Sequence, residues 1–172
     1  LNCGQTCVAP DYVLCEKSIK DELVAEIKSQ ITKQYSENPL ANPDYGKIIN
    51  NKHFERLCGL IDSNKVIHGG ETNTDTLQIA PTVMDNVSWD DEIMADEIFG
   101  PILPVVTFES YDEVYSILNN RPKPLALYIF AEDKSVIRQV TERLSYGGGC
   151  INDVVIHLAT EEMGFGGVGE SG

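Results

Sequence analysis

Leu103-Pro104-Val105-Val106-Thr107-Phe108-Glu109-Ser110-Tyr111-Asp112-Glu113 reads as a strand that runs straight into a helix. The Leu103 to Phe108 run is almost continuously apolar, the pattern of a strand buried on both faces, and such strands belong to parallel sheets covered by helices. Ser110 followed by Glu113 makes a capping box, so a helix opens there. Toward the C-terminus the unit repeats. Leu125 to Phe130 is a second strand of the same type, Asp133 caps a helix on which Val136, Val140 and Leu144 align, Gly147-Gly148-Gly149 stops it, and Cys150 to Leu158 is the next strand. Toward the N-terminus, Tyr12 to Cys15 is β-prone. Ser18-Ile19-Lys20-Asp21 reads as the capped start of a helix through about Tyr35, whose Leu23, Ile27 and Ile31 form an apolar stripe. Asn38 to Asp44 is a turn-rich loop, followed by a helix from about Asn51 to Ile61. Val66-Ile67-His68 and Leu77 to Val83 are extended segments that can pair as a hairpin, with Pro81 marking an edge or a strand end. The alternation predicts an α/β fold with an open, largely parallel sheet and helices on both faces. No repeat, low-complexity run or linker divides the chain, so residues 1–172 read as one domain.

Composition narrows the function. Thirteen basic against 27 acidic residues give a formal charge of −14, which repels phosphate backbones and anionic lipid surfaces, so nucleic acid is not an expected partner. No apolar run approaches the roughly 20 residues that span a bilayer, and no charged-then-apolar leader opens the sequence. The five cysteines, Cys3, Cys7, Cys15, Cys58 and Cys150, are scattered in a way that fits neither a disulfide framework nor paired zinc ligands. A reducing, cytoplasmic setting is therefore expected, and the Asn86-Val87-Ser88 triplet carries no meaning there. Cys3 and Cys7 would share a face if their segment were helical, but one reactive thiol beside one small buried neighbour is the simpler reading. His53 and His68 lie in unrelated segments and suggest no metal site; His157 reads as a hydrogen-bonded structural residue at the end of a strand.

Gly4-Gln5-Thr6-Cys7-Val8-Ala9-Pro10-Asp11-Tyr12 carries the chemistry. A thiolate that attacks a carbonyl needs approach space and nearby backbone N–H groups for the developing oxyanion, and Gly4, Thr6 and Ala9 leave such space around Cys7. Near the end of the chain, Gly167-Val168-Gly169-Glu170-Ser171-Gly172 fits the G-x-G-x-x-G pattern of dinucleotide-binding turns. With no strand before it, no helix after it and Glu170 placed where a pyrophosphate would sit, it reads as a flexible loop.

The Gly4 to Tyr12 stretch resembles the active-site segment of the aldehyde dehydrogenase superfamily, and its Ala9-Pro10-Asp11-Tyr12 continuation resembles the class 3 branch of fatty and aromatic aldehyde dehydrogenases. Asp96-Glu97-Ile98-Phe99-Gly100-Pro101, Pro124-Leu125-Ala126-Leu127-Tyr128 and Phe165-Gly166-Gly167-Val168-Gly169 resemble further family signatures, in the family's order, over essentially the whole chain. The resemblance implies oxidation of an aldehyde to a carboxylic acid with NAD or NADP, through a thiohemiacetal and then a thioester on Cys7. It implies that Glu97 accepts hydrogen bonds from the nicotinamide ribose hydroxyls and that Phe99 packs beside the nicotinamide. Asn152 and Phe165 match positions near the aldehyde tunnel. The chain departs from the family at Asp96, where glutamate is frequent, and at Gly164, where proline is common and the local loop shape is therefore open. By the same resemblance the general base, the oxyanion asparagine, most of the cofactor-binding domain and an oligomerisation arm lie outside these residues. The segment alone is then expected to be inactive and its full-length parent to be a homodimer. Two other readings stay open at this stage: a lobe that only supports structure or interaction, and a thiol acyl transferase without hydride transfer. The second is disfavoured by Glu97 and Phe99, which such an enzyme does not need.

Overall fold

Strand β1 (Val13–Glu16), helix α1 (Lys20–Tyr35), helix α2 (Asn51–Leu60) and strands β2 (Val66–His68), β3 (Thr72–Asn73), β4 (Gln78–Ile79), β5 (Thr82–Met84) and β6 (Ile102–Phe108) follow one another in a computed structural model that describes residues 2–172. They build a first unit, which ends at Phe108. Its sheet has the order β1-β6-β5-β2, with β6 parallel to both β1 and β5 and β2 antiparallel at the edge. The central position of β6 explains its apolar run, because successive residues face opposite layers and both layers are covered. Val105, with Cys15 and Val83 from its neighbours, packs against Val24, Leu23, Ile27 and Ile31 of α1. Ile102 and Val106, with Leu14 and Met84, pack instead with Phe54 and Leu57 of α2. Helices thus cover both faces of a largely parallel sheet.

Two local expectations in this unit are corrected. Ser18 does not cap α1: residues 17–19 form a 3-10 turn that leads into the helix, and Ile19 occupies the cap position without a side-chain hydrogen bond. Ser18 is already inside a turn there, and Asp21 and Glu22 in the first helical turn complement the helix dipole instead. The Leu77 to Val83 segment is two strands rather than one. Leu77 has a φ of 56° and Pro81 offers no N–H, so β4 pairs with β3 while β5 pairs with β2. The expected hairpin partner of residues 66–68 is therefore β5.

The second unit, Glu109–Gly172, contains α3 (Tyr111–Leu118), β7 (Ala126–Ile129), α4 (Lys134–Arg143) and β8 (Gly148–Ile151), with β7 and β8 parallel. The Ser110 hydroxyl accepts from the Glu113 N–H at 3.3 Å, while the Glu113 carboxylate accepts from the N–H of Glu109 at 3.0 Å, one residue earlier than a standard capping box uses. Asp133 accepts from the Ser135 N–H at 2.7 Å and caps α4. Tyr115, Ile129 and Val140 form the buried centre, and the Arg143 guanidinium stacks over Tyr115 at 3.8 Å. The glycine run does not stop α4, which has already ended at Leu144. Gly148 and Gly149 belong to β8, and a Cβ on Gly149 would lie 2.2 Å from the Leu127 carbonyl oxygen, so glycine lets the strands close up. Nor does β8 continue to Leu158. Asn152 and Val155 have φ values of 57° and 63°, which end the strand, and residues 156–159 form a 3-10 turn.

Candidate active site

The loop before β1 presents Cys7 by anchoring the residues around it. The Gln5 N–H donates to the Asn2 carbonyl at 3.0 Å and the Ala9 N–H to that of Thr6 at 2.8 Å. The Gln5 side chain donates to the Lys47 carbonyl at 3.0 Å and accepts from the Ile49 N–H at 2.9 Å. Val8 is 1 % exposed. Between these fixed points Cys7 is the solvent-exposed cysteine; Cys15 is buried and Cys3, Cys58 and Cys150 are half-buried. Burial pushes the Cys3, Cys15 and Cys58 thiols up from their ordinary range, which keeps them protonated and poor nucleophiles. Cys3 has a φ of 51° and packs against the core under the loop, so Cys3 and Cys7 do not lie on one helical face.

The Glu97 to Gly100 segment meets this loop. A Cβ on Gly4 would lie 2.2 Å from the Gly100 carbonyl oxygen, so the two segments touch backbone to backbone. Asp11 Oδ1 accepts from the Ile98 N–H at 2.8 Å, and Arg56 Nη2 on α2 donates to the Ile98 carbonyl at 2.6 Å. Ile98 itself is 1 % exposed, whereas Phe99 is 40 % exposed and adopts a φ of 52°. Glu97 is exposed on the other side of Ile98. Partial desolvation, then the Asp11 carboxylate, push the Glu97 carboxyl up against the opposing pull of Arg56. Burial likewise raises Asp11, opposed by the Ile98 N–H and Arg56. An exposed aromatic ring and an exposed carboxylate thus flank one pinned residue, an apolar surface beside a hydrogen-bond acceptor. Among the described residues no group of three or more His, Cys, Asp or Glu could hold a metal ion.

Cys7, Glu97 and Phe99 therefore belong to segments that the first unit brings together. Asn152 and Phe165 lie in the second unit. The Asn152 N–H donates to the Ile129 carbonyl at 2.7 Å, and its amide accepts from the Ala131 N–H at 2.9 Å and donates to the Ala131 carbonyl at 3.0 Å, tying the end of β8 to the end of β7. Phe165 is 56 % exposed. His157 Nδ1 lies 3.5 Å from Cys150 Sγ. The glycine pattern at 167–172 contains a short 3-10 turn at residues 169–171 and neither follows a strand nor opens a helix. Sequence reasoning missed Asp11 and Arg56. Asp11 sat inside the quoted motif without a role of its own, and Arg56 on the polar side of an amphipathic helix gave no signal at all. No helix among the described residues is long and apolar enough to cross a membrane.

The model of the aldehyde dehydrogenase family matches residues 1–172. A 4,4'-diaponeurosporen-aldehyde dehydrogenase of Staphylococcus aureus is 47 % identical over 99 % of this chain and 38 % of its own length. Aldehyde dehydrogenase family 3 member A2 of Rattus norvegicus is 46 % identical over 100 % of this chain and 36 % of its own. The solved substrate-bound state of a Staphylococcus aureus AldH superposes with a TM-score of 0.96 at 45 % identity, covering 98 % of this chain and 37 % of that one. The chain thus spans little more than a third of the length of the relatives it matches.

Proposed function

The chain belongs to the aldehyde dehydrogenase family, and on that premise we propose that it is the thiol-bearing part of an enzyme that oxidises an aldehyde to a carboxylic acid with NAD or NADP. The observation that carries this reading is the exposed Cys7, held on an anchored loop whose backbone touches the Glu97 to Gly100 segment. Cys7 attacks the aldehyde carbon, forming a carbon–sulfur bond while the carbonyl electrons collect on oxygen as a thiohemiacetal. The same sulfur later carries the acyl group as a thioester until water releases the acid and frees the thiol. Bound nicotinamide supplies the hydride acceptor that this oxidation requires. Glu97 receives the ribose hydroxyls on its carboxylate, and Phe99 offers a flat apolar surface beside them. Of the oxyanion donors, the Cys7 backbone N–H is the one this chain provides. The chain covers 38 % and 36 % of two of its relatives' own lengths, and on this reading it does not turn over alone, because a base for the thiol and the water and a second oxyanion donor are still required.

The test compares the wild-type chain with Cys7→Ser by intact mass after brief exposure to an aldehyde-mimicking thiol reagent, alongside aldehyde-dependent NADH or NADPH formation by the full-length enzyme. Selective labelling at Cys7 with NADH or NADPH formation by the longer enzyme is the expected result. Labelling spread evenly over the cysteines, with neither NADH nor NADPH formed, refutes the reading.

A further inference from the structure

We propose that Asp11 and Arg56 are positioning residues for the cofactor seat, clamping the two peptide units on either side of Ile98 and so setting the directions of the Glu97 carboxylate and the Phe99 ring. The inference rests on the reading of Glu97 and Phe99 given above. The Ile98 N–H belongs to the peptide unit that joins it to Glu97, and Asp11 holds that N–H at 2.8 Å. The Ile98 carbonyl belongs to the peptide unit that joins it to Phe99, and Arg56 holds that oxygen at 2.6 Å. A peptide unit is planar, so a hydrogen bond on each side restrains the planes from which both side chains depart. The Ile98 side chain, 1 % exposed and packed in the core, supplies the third anchor.

Phe99 gives an independent reason for such a clamp. Its φ of 52° lies in the left-handed region, which costs a bulky residue on the order of 1–2 kcal/mol and persists where the surroundings over-determine it. Two charge-assisted hydrogen bonds one residue away provide that determination. On the far side Gly100 lies over Leu57, the neighbour of Arg56 on α2, so closely that a Cβ there would come within 2.4 Å of a Leu57 methyl. Asp11 also sits on the stretch that carries Cys7. One carboxylate thus links the nucleophile's segment to the segment that would face the cofactor, and the distance between sulfur and hydride acceptor depends on that link. The charged groups acting on Glu97 are the clamp residues themselves, Asp11 raising its affinity for a proton and Arg56 lowering it.

The experiment measures NADH binding to the full-length enzyme as a function of pH, with NADH as the probe. Asp11→Asn keeps an acceptor for the Ile98 N–H and so removes charge without abolishing that bond, whereas Arg56→Gln, whose side chain is too short to reach the Ile98 carbonyl, removes charge and bond together. Removing the negative neighbour lets Glu97 ionise at lower pH, and removing the positive one delays ionisation to higher pH. The acid limb, where NADH binding weakens as Glu97 is protonated, is therefore expected to move down for Asp11→Asn and up for Arg56→Gln. This opposed pair reports the two charges beside Glu97, and the clamp itself is read from affinity at neutral pH. Asp11→Ala, which leaves the Ile98 N–H without its acceptor, is expected to weaken NADH binding at neutral pH on the order of tenfold. Glu97→Gln separates the two layers of the argument. If it flattens the acid limb while Asp11→Ala leaves NADH affinity at neutral pH unmoved, the clamp is refuted and the seat stands. If Glu97→Gln itself changes neither, the seat is refuted and the clamp with it.

Discussion

Gly4→Ala tests whether the Cys7 loop depends on backbone contact with Gly100. A Cβ at position 4 would lie 2.2 Å from the Gly100 carbonyl oxygen, 2.7 Å from its carbon and 3.3 Å from its nitrogen, with Gly4 at a φ of +74°. The left-handed conformation alone costs alanine about 1 kcal/mol. The clash is with backbone, which cannot rotate away as a side chain can, so relief requires the two segments to part, and strain of this type adds about 1–3 kcal/mol. The sum, about 2–4 kcal/mol, corresponds at this chain length to a fall of roughly 5–15 °C in melting temperature. Gly59→Ala on α2 is the matched control: nothing lies within 4 Å of its added Cβ, and removing a helical glycine is expected to raise stability by up to about 1 kcal/mol. Thermal melting of both variants, with the rate of Cys7 alkylation measured on each, gives the assay. Gly4→Ala should melt lower and label Cys7 at an altered rate, while Gly59→Ala should melt slightly higher and label normally. If Gly4→Ala melts within about 2 °C of wild type and labels at the same rate, the two segments are not held together as argued.

Thr82 is 1 % exposed and its hydroxyl accepts from the Gly70 N–H at 3.0 Å while donating to the Ala80 carbonyl at 2.7 Å. Thr82→Val keeps the volume but strands both groups, and urea denaturation should register a loss of about 1–3 kcal/mol. Burial works to raise the Asp85 carboxyl, but the Lys20 ammonium at 2.6 Å and the Asn86 N–H together outweigh it, with Lys28 adding to the pull, and hold it below the usual aspartate range. A lowered folded value means that the pair's stabilisation is complete above about pH 4 and fades as pH falls through the folded value. Asp85→Asn should therefore cost about 1–2 kcal/mol at neutral pH and flatten that part of the acid unfolding curve. Asn152→Ala removes both side-chain bonds to Ala131 at a φ of 57° and should lower stability by about 1–2 kcal/mol, with Asn152→Gly recovering the conformational share in a thermal melt.

What the sequence reveals depends on whether a residue's partner leaves a trace in the local pattern. β6 is legible because burial on two faces writes a continuous apolar run, and the Asp133 cap is legible because its bond closes within two residues. Ser18 carries the same kind of signal and fails, because the 3-10 turn places it one step inside the helical backbone rather than at its edge. Gly147 to Gly149 were legible as backbone freedom but not as its use, since a helix stop and a close strand approach call for the same residue. At the site, the chemical types of Cys7, Glu97 and Phe99 stand out, but what joins them does not. Asp11 and Ile98 are 87 positions apart, and a bond from a side chain to a distant backbone N–H imposes no periodicity on either end. Gly4 brings out the difference most sharply. From sequence it reads as open space for a substrate approaching Cys7, whereas the structure gives it a second reason, the backbone of Gly100 lying where its side chain would be. The two reasons separate experimentally, because enlarging a residue kept small only for access would slow bulky thiol reagents at Cys7 and leave the melting temperature alone, whereas enlarging one kept small for contact lowers stability before any reagent is added.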